Sequence, residues 1–464
     1  MFTVLKKSLK PLMISEVPSY ANKFFYSLGF LSMISFVLLL ITGVVMTFFG
    51  PNWWLTDGVG KYFRSVHLWS TQAFVIFIIL HILVVFFTSA FKPPRRLTWV
   101  LGVLMLACVM LEAEFGYVLR GDFSSQWRSL QGADFYNGSG LGYWINALNY
   151  KQIYGIHIVV IPFAIMGLLF LHYVLVRYLG IAKPYRKDVQ ATTVAANHNV
   201  LFLRGGVTVG LILVLGLIFP SPFLKPTTIQ EVATKDPQLM AVTLVKEFDS
   251  SSDTATYQDN IAPYTYSTRE VYITAPYQQL LLIKTSAKDQ LSAFNKESQT
   301  VQTQQLKDAA DFYANWDGKS QLPAYNPAIA VVGSLVEMAS TGYYESYLAA
   351  INTTAKPADN STYVLRFLSD TGVLEERATG LTLTTDQYGM LREESTRAPG
   401  AWWLAPIGVL NHTILKGDNN GDRDAAMLFG SFFLVLIAYP YIPVVNQIPD
   451  KLRVYKLIWH TNRK

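Results

Sequence analysis

The sequence predicts an all-α membrane protein with about six transmembrane helices and a polar, mostly helical insert before the last of them. Three observations predict it. Of 464 residues, 51% are hydrophobic and only 15% charged, against about 25% charged in an ordinary soluble protein. Six apolar runs are long enough to cross a bilayer, which takes about 20 residues. The charge is also unevenly placed: a net +6 overall splits into +13 outside the insert and −7 within it.

The predicted spans cover residues 24–49, 68–90, 97–119, 157–179, 200–219 and 425–445. The first follows Lys6, Lys7 and Lys10 but lacks a small-residue cleavage site, so it reads as a retained helix and not a signal peptide. Outside the insert, Lys and Arg gather at the N-terminus, at Lys92, Arg95 and Arg96, from Arg177 to Arg204, and from Lys451 to Lys464. Six spans place all four clusters on one side. The positive-inside rule makes that side cytoplasmic, with both termini there and the insert extracytoplasmic. This expectation corresponds to a prokaryotic-type inner membrane. Three regions follow: 1–221, 222–398 (the insert) and 399–464.

One cysteine, Cys108, excludes a disulfide framework and any site needing two thiolates, such as an iron–sulfur cluster or a zinc ribbon. Histidine is more informative. His67 and His81 lie 14 residues apart on the second span, and His157 and His172 lie 15 apart on the fourth. Both offsets are near whole helical turns, so each pair shares a face, and its members stand roughly 21 Å apart along the helix. Spans two and four run in the same direction. His67 is therefore level with His157, and His81 with His172. Two imidazoles facing each other at each of two levels suit two bis-histidine haems in a four-helix bundle. A pair of zinc ions fits poorly, because two histidines do not complete a tetrahedral shell. A lone membrane histidine can be a simple interhelical contact, but buried ionisable groups in a membrane are costly and usually functional.

Glycines repeat the spacing. Gly29 and Gly43 are 14 apart on span one, and Gly102 and Gly116 are 14 apart on span three. Ordinary small-residue packing gives such pairs too. The shared period also fits a flat macrocycle that needs a missing side chain where it meets a helix.

These residues resemble the cytochrome b/b6 family, the haem-carrying subunit of quinol:cytochrome c and quinol:plastocyanin reductases. The resemblance is carried by Arg64-Ser-Val-His67-Leu-Trp69, by Phe91-Lys-Pro-Pro-Arg-Arg-Leu-Thr-Trp99, by Gly116-Tyr117-Val-Leu with Asp122 and Trp127, and by His172-Tyr-Val-Leu-Val-Arg177. It implies two non-covalent b haems, with His67 and His157 holding the outer one and His81 and His172 the inner one. It implies that Arg64 pairs with a haem propionate. It also implies quinone as substrate, a Rieske-type iron–sulfur protein and/or a c-type cytochrome as partners, and a homodimer within a larger complex. Nothing suggests nucleic acid. The stretch Trp402-Trp403-Leu-Ala-Pro406 resembles the start of the outer quinol segment, so the chain looks like the two split subunits of the family fused, shortened and interrupted by the insert.

The departures matter as much. Where the family carries a glutamate that takes a proton from quinol, this chain has Ala401. Glu112 and Glu114, near the outer end of span three, are the candidate replacements, because quinol oxidation needs a nearby proton acceptor. Two apart on a helix, they point about 200° away from each other. Gln152 stands where the family often has an arginine, and Lys151 beside it is a candidate propionate contact. Ser27 replaces the cysteine that anchors a third haem in the plastocyanin-reducing branch. No Cys-x-x-Cys-His occurs, so any c-type haem belongs to a partner.

The insert has no Cys and no His, and is rich in tyrosine. Helices are expected near residues 276–316 and 328–350. A docking or packing role fits it best. Residues 418–424 lack the length and closing glutamate of a calcium loop and read as a solvated turn. Two functions remain open: an electron-transfer subunit of a bc-type quinol oxidoreductase, or a dihaem anchor that links an extracytoplasmic dehydrogenase or multihaem cytochrome to the quinone pool without outer-site quinol oxidation. A purely structural membrane scaffold is a third.

Overall fold

The computed structural model describes residues 14–182, 192–257, 266–284, 288–323, 325–350, 360–384, 399–418 and 421–459. Among the described residues, six helices are long and apolar enough to cross a membrane. The first, α1 (Leu28–Phe49), follows one tight turn at Phe24–Ser27 and stops at Gly50, whose φ of +80° suits glycine. Asp57 opens α2 (Gly58–Phe87) by accepting the Val59 and Gly60 amides at 2.8 and 3.1 Å. That helix begins ten residues before the predicted span. Its 30 residues make about 45 Å of helix, more than the roughly 30 Å hydrocarbon core. The third span is α3 (Arg96–Val118).

Hydropathy did not reveal the next element. Asp122 and Ser125 form a capping box that starts α4 (Phe123–Gly138). This helix is too polar to span; it buries Phe123, Trp127, Leu130 and Tyr136 in the shared core. The fourth span runs through Tyr150–Gly155, a five-residue π turn at Ile156–Val160, and α5 (Ile161–Leu179). Pro162 explains the turn: it has no N–H for the carbonyl four residues back, and its ring crowds that carbonyl. Pro276 stands in the same relation to a second π turn at Glu270–Thr274. Asn197 caps α6 (His198–Ile218), the fifth span.

The described part of the insert is helical. It contains α7 (Ile229–Lys235), α8 (Pro237–Asp249), α9 (Ala275–Ile283), α10 (Gln299–Ala314), α11 (Pro327–Ser340), α12 (Tyr343–Ala350), α13 (Asn360–Asp370) and α14 (Val373–Gly380), with shorter turns between. Helices thus also occur well before residue 276 and again from residue 360, and the expected 276–316 stretch is divided among helices at Ala275–Ile283, Gln290–Lys296 and Gln299–Ala314. The tyrosines are structural: Tyr272, Tyr313 and Tyr344 are fully buried and donate to the carbonyls of Tyr363, Ile329 and Tyr272 at 3.0, 2.8 and 2.8 Å. The last span is α15 (Gly421–Ala438). Gly421–Asp424 therefore open a helix and do not form a solvated turn; residues 419 and 420 lie outside the described ones.

Helices α1 and α2 pack together, as do α3 and α5; α6 lies against α1 and α2, and α15 against α3 and α4. One buried apolar cluster runs from the bundle (Phe36, Phe74, Phe115) through α4 into the insert (Tyr272, Phe367). At the opposite end the basic segments meet. Glu16–Pro18 pairs antiparallel with Thr193–Ala195, the only sheet among the described residues. Lys23 donates to the Trp459 carbonyl, and Lys92 pairs with Asp450.

Candidate functional site at the His67–His157 level

His67 comes from α2 and His157 from the π turn before α5. Their ring centres are 6.4 Å apart. Two imidazoles each about 2 Å from a shared metal have ring centres roughly 6 Å apart, so the separation admits one ion between them. The π turn also reconciles the two spacings. It absorbs one residue more than an α turn does, so 15 residues on the fourth span advance nearly as far around the helix as 14 on α2.

The ring protons are placed by neighbours. Thr42 Oγ1 donates to the Leu38 carbonyl at 2.8 Å and lies 2.8 Å from His67 Nδ1, so it accepts the Nδ1 proton. His157 Nδ1 lies 3.2 Å from both the Glu112 carbonyl and its Oε1. His172 Nδ1 donates to the Thr98 carbonyl at 3.1 Å. With Nδ1 engaged in each, Nε2 keeps its lone pair for a metal.

Each glycine of the paired set faces one histidine. A Cβ at Gly116 would stand 3.1 Å from His157 Cε1, at Gly29 3.2 Å from His81, at Gly43 3.5 Å from His67, and at Gly102 3.7 Å from His172. The matching 14-residue period on the helices thus has a direct contact behind it.

A cavity of about 440 Å³ lies at the His67–His157 level, walled by Gly43, His67, Gly116, His157, Arg64 and Arg120 among others. That is within the range of small-molecule and cofactor pockets. At its edge the fully buried Asp122 receives Arg120 at 2.7 Å and Arg64 at 3.4 Å, and both arginines also donate to the Pro222 carbonyl. Arg64 lines this cavity. Lys151 is exposed and is not part of the cavity wall; the second cation there is Arg120, just past the end of α3. A charged pair flanking a glycine immediately after an apolar run was the available signal for Arg120 and Asp122.

Glu112 lines the cavity; Glu114 is turned away and held by Arg128 at 2.9 and 3.1 Å. Arg128 in turn lies over the Tyr117 ring, which packs against Trp403. The stretch around Ala401 is bracketed by Gln72, which donates to the Pro399 and Gly400 carbonyls at 3.3 and 3.1 Å and accepts from Trp402 Nε1 at 2.8 Å. Ala401 itself is fully buried. Ser27 Oγ accepts from Arg204 at 2.6 Å.

The family model for cytochrome b(N-terminal)/b6/petB matches residues 72–228. Cytochrome b6 of Heliobacterium modesticaldum is 33% identical over 190 residues, covering 36% of this chain and 89% of that one. The chain belongs to the cytochrome b/b6 family. Cytochrome b6 of Oltmannsiellopsis viridis is 30% identical over 190 residues, covering 36% of this chain and 88% of its own. A solved structure titled "Hyperthermophilic respiratory Complex III" aligns with 75% of this chain and 95% of its own at 16% identity, with a TM-score of 0.37, too low to carry an argument. Membership makes this a multi-pass membrane protein of electron transport, and cytochrome b membership implies haem b.

Proposed function

We propose that the chain carries two b-type haems, one between His67 and His157 and one between His81 and His172. We propose further that it passes electrons between quinone sites and an extracytoplasmic redox partner, as in a bc-type quinol oxidoreductase complex. The observation that carries this is the opposed His67–His157 pair, 6.4 Å apart across a cavity, with both Nδ1 atoms engaged. A bis-histidine haem exchanges single electrons and leaves no open iron position for oxygen chemistry. Arg64 and Arg120 bring two positive charges against the one negative charge of Asp122, and the surplus suits a propionate.

The chain's own residues supply the rest. The meeting of the basic segments at one end supports the cytoplasmic assignment of that end and an extracytoplasmic insert. The partners would be a Rieske-type iron–sulfur protein and/or a c-type cytochrome, with the chain a homodimer in the complex. Glu114 is the outer-site proton acceptor of this reading: Arg128 holds it and lies over the Tyr117 ring that packs against Trp403, whereas Glu112 faces His157. The test is redox-titrated spectroscopy of the purified complex with quinol and an outer-site inhibitor. Two b-type waves with inhibitor-sensitive, oxidant-induced reduction support the reading. An unchanged quinol oxidation rate in Glu114→Gln removes Glu114 from it.

One observation favours the dihaem anchor as a second reading. The Gln72 bracket and the buried Ala401 close the segment that a quinol would enter, and no carboxylate stands at that position. Quinol-driven haem reduction wholly insensitive to outer-site inhibition would decide for it.

A further inference from the structure

Three side-chain oxygens inside the insert are buried and have no hydrogen-bond partner: Glu247 Oε1, Asp370 Oδ2 and Thr268 Oγ1. They come from three segments. Glu247 lies near the end of α8, Asp370 closes α13, and Thr268 stands two residues before the second π turn. The Glu247 carboxyl lies against both of the other side chains. Glu247 is 0% exposed and Thr268 2%. The remaining oxygen of each carboxyl is already taken: Ser252 Oγ donates to Glu247 Oε2 at 2.8 Å, and the Thr254 amide donates to Asp370 Oδ1 at 3.1 Å. Among the described residues, no Lys or Arg forms an ion pair with either carboxyl. Arg366, one turn before Asp370, donates from Nε to Thr254 Oγ1 at 3.2 Å.

Two carboxylates buried side by side cannot both stay ionised without a positive charge between them. A shared proton would satisfy Glu247 Oε1 and Asp370 Oδ2 but would leave Thr268 Oγ1 as it is. A metal cation takes all three oxygens. We propose that Glu247, Asp370 and Thr268 form a calcium site inside the insert. The donors are all oxygen, which suits a hard cation and not zinc or copper. Magnesium sheds its water reluctantly, so buried oxygens favour calcium. Among the described residues no third carboxylate joins the two. Water completes the shell from the side of Asp370, which is only half-buried. So few charged ligands set the affinity at about 10⁻⁴–10⁻³ M, the range of extracellular modules, which agrees with the extracytoplasmic side proposed for the insert. The ion ties the end of α13 to α8. The other end of α13 meets the bundle, where Thr362 Oγ1 donates to the Leu148 carbonyl at 3.2 Å. Calcium thus governs how firmly the insert is held against the bundle. The proposal stands apart from the dihaem reading.

The test is calcium binding by the full, purified chain, stripped with a chelator and titrated with CaCl2, beside NaCl at matched ionic strength. Wild type is expected to bind calcium saturably, with half-saturation at about 10⁻⁴–10⁻³ M. Its insert is expected to resist limited proteolysis longer in CaCl2 than in NaCl. Glu247→Gln is expected to abolish saturable binding. Thr268→Val is expected to weaken it by about tenfold, the worth of one neutral oxygen donor. If Glu247→Gln fails to fold, Thr268→Val carries the measurement, because it keeps the side-chain shape and removes only a neutral oxygen. A wild-type chain without saturable calcium binding overturns the proposal and leaves the two carboxyls sharing a proton. Binding unchanged in either variant, or protection that NaCl reproduces, is surface binding and overturns it too. Haem content, read on the same samples, keeps the fate of this proposal separate from that of the dihaem reading.

Discussion

Replacing Gly116 by alanine should cost the haem proposed between His67 and His157, whereas the same change at Gly102 should be tolerated. A new Cβ at Gly116 would sit 3.1 Å from His157 Cε1, inside the ordinary carbon contact distance of about 3.5–4.0 Å. At Gly102 the separation from His172 Cε1 is 3.7 Å, an ordinary contact. Overpacking of this kind costs about 1–3 kcal/mol, while glycine to alanine inside a helix gains about 1 kcal/mol. At Gly102 only the gain applies. At Gly116 the cost prevails over most of its range and falls on a ligand that must stay aligned with its partner. A residual 1–2 kcal/mol corresponds to roughly 5–30-fold weaker haem retention. Gly29→Ala, at 3.2 Å from His81, should do the same to the inner haem, and Gly43→Ala should lie between. The assay is haem content per chain, with a redox titration to identify the missing wave. Equal haem loss in Gly102→Ala and Gly116→Ala, or loss of the inner wave in Gly116→Ala, would refute the reasoning.

Other outcomes follow from the same contacts. Thr42→Val keeps the side-chain shape but removes the acceptor of the His67 Nδ1 proton; haem affinity at the outer level should fall by about 10–100-fold in a haem titration. In the insert, burial first and then the neighbouring Asp370 carboxyl push Glu247 up to about 9. Its folded value lies above its unfolded one, so its stabilising contribution is full below the usual carboxylate range and is lost as pH rises through that raised value. Thermal melting of the insert signal should therefore fall from mildly acid to alkaline pH, and Glu247→Gln should flatten the dependence; a wild-type melt that rises over that range would contradict it. Arg377 lies 4.1 Å over the Phe123 ring and donates to Thr227 at 2.8 Å. Arg377→Ala should loosen the insert from α4 by about 1–2 kcal/mol, read as faster limited proteolysis with haem content unchanged.

Much of the bundle could be read from the sequence because a bilayer imposes length and apolarity on every span, and because a histidine in such a span is conspicuous. Even there the periodicity had a hidden part. The 14- and 15-residue offsets agree only because Pro162 forces a π turn at the ligand, and a proline five residues after His157 was visible without its consequence being so. Helix α4 was missed for the opposite reason. Its sixteen residues alternate polar and apolar on a short helix that neither spans nor stands alone, and only the core it shares with the insert makes its apolar face legible.

The polar machinery was the least legible because its partners are distant in sequence. Trp69 donates to Phe219, Ser65 accepts from Ser221, Arg64 and Arg120 converge on Pro222, and Gln126 exchanges two hydrogen bonds with Thr227. Each of these pairs is about a hundred residues or more apart. No local pattern announces them. Together they lay residues 219–227 along the outer edge of the cavity that Arg64 and Arg120 help to wall. The same logic explains Gln72. One buried amide meets the backbone at 399–400 and the Trp402 indole because burial leaves it no water to bond with. A glutamine in an apolar span could have been suspected of function; its contacts show it holding a segment more than three hundred residues away. Charge and hydropathy therefore identify which residues are costly to bury, but only the long-range fold decides whether each cost is offset by the chain itself, as at Gln72 and Asp122, or is left for a ligand, as proposed at His67 and His157.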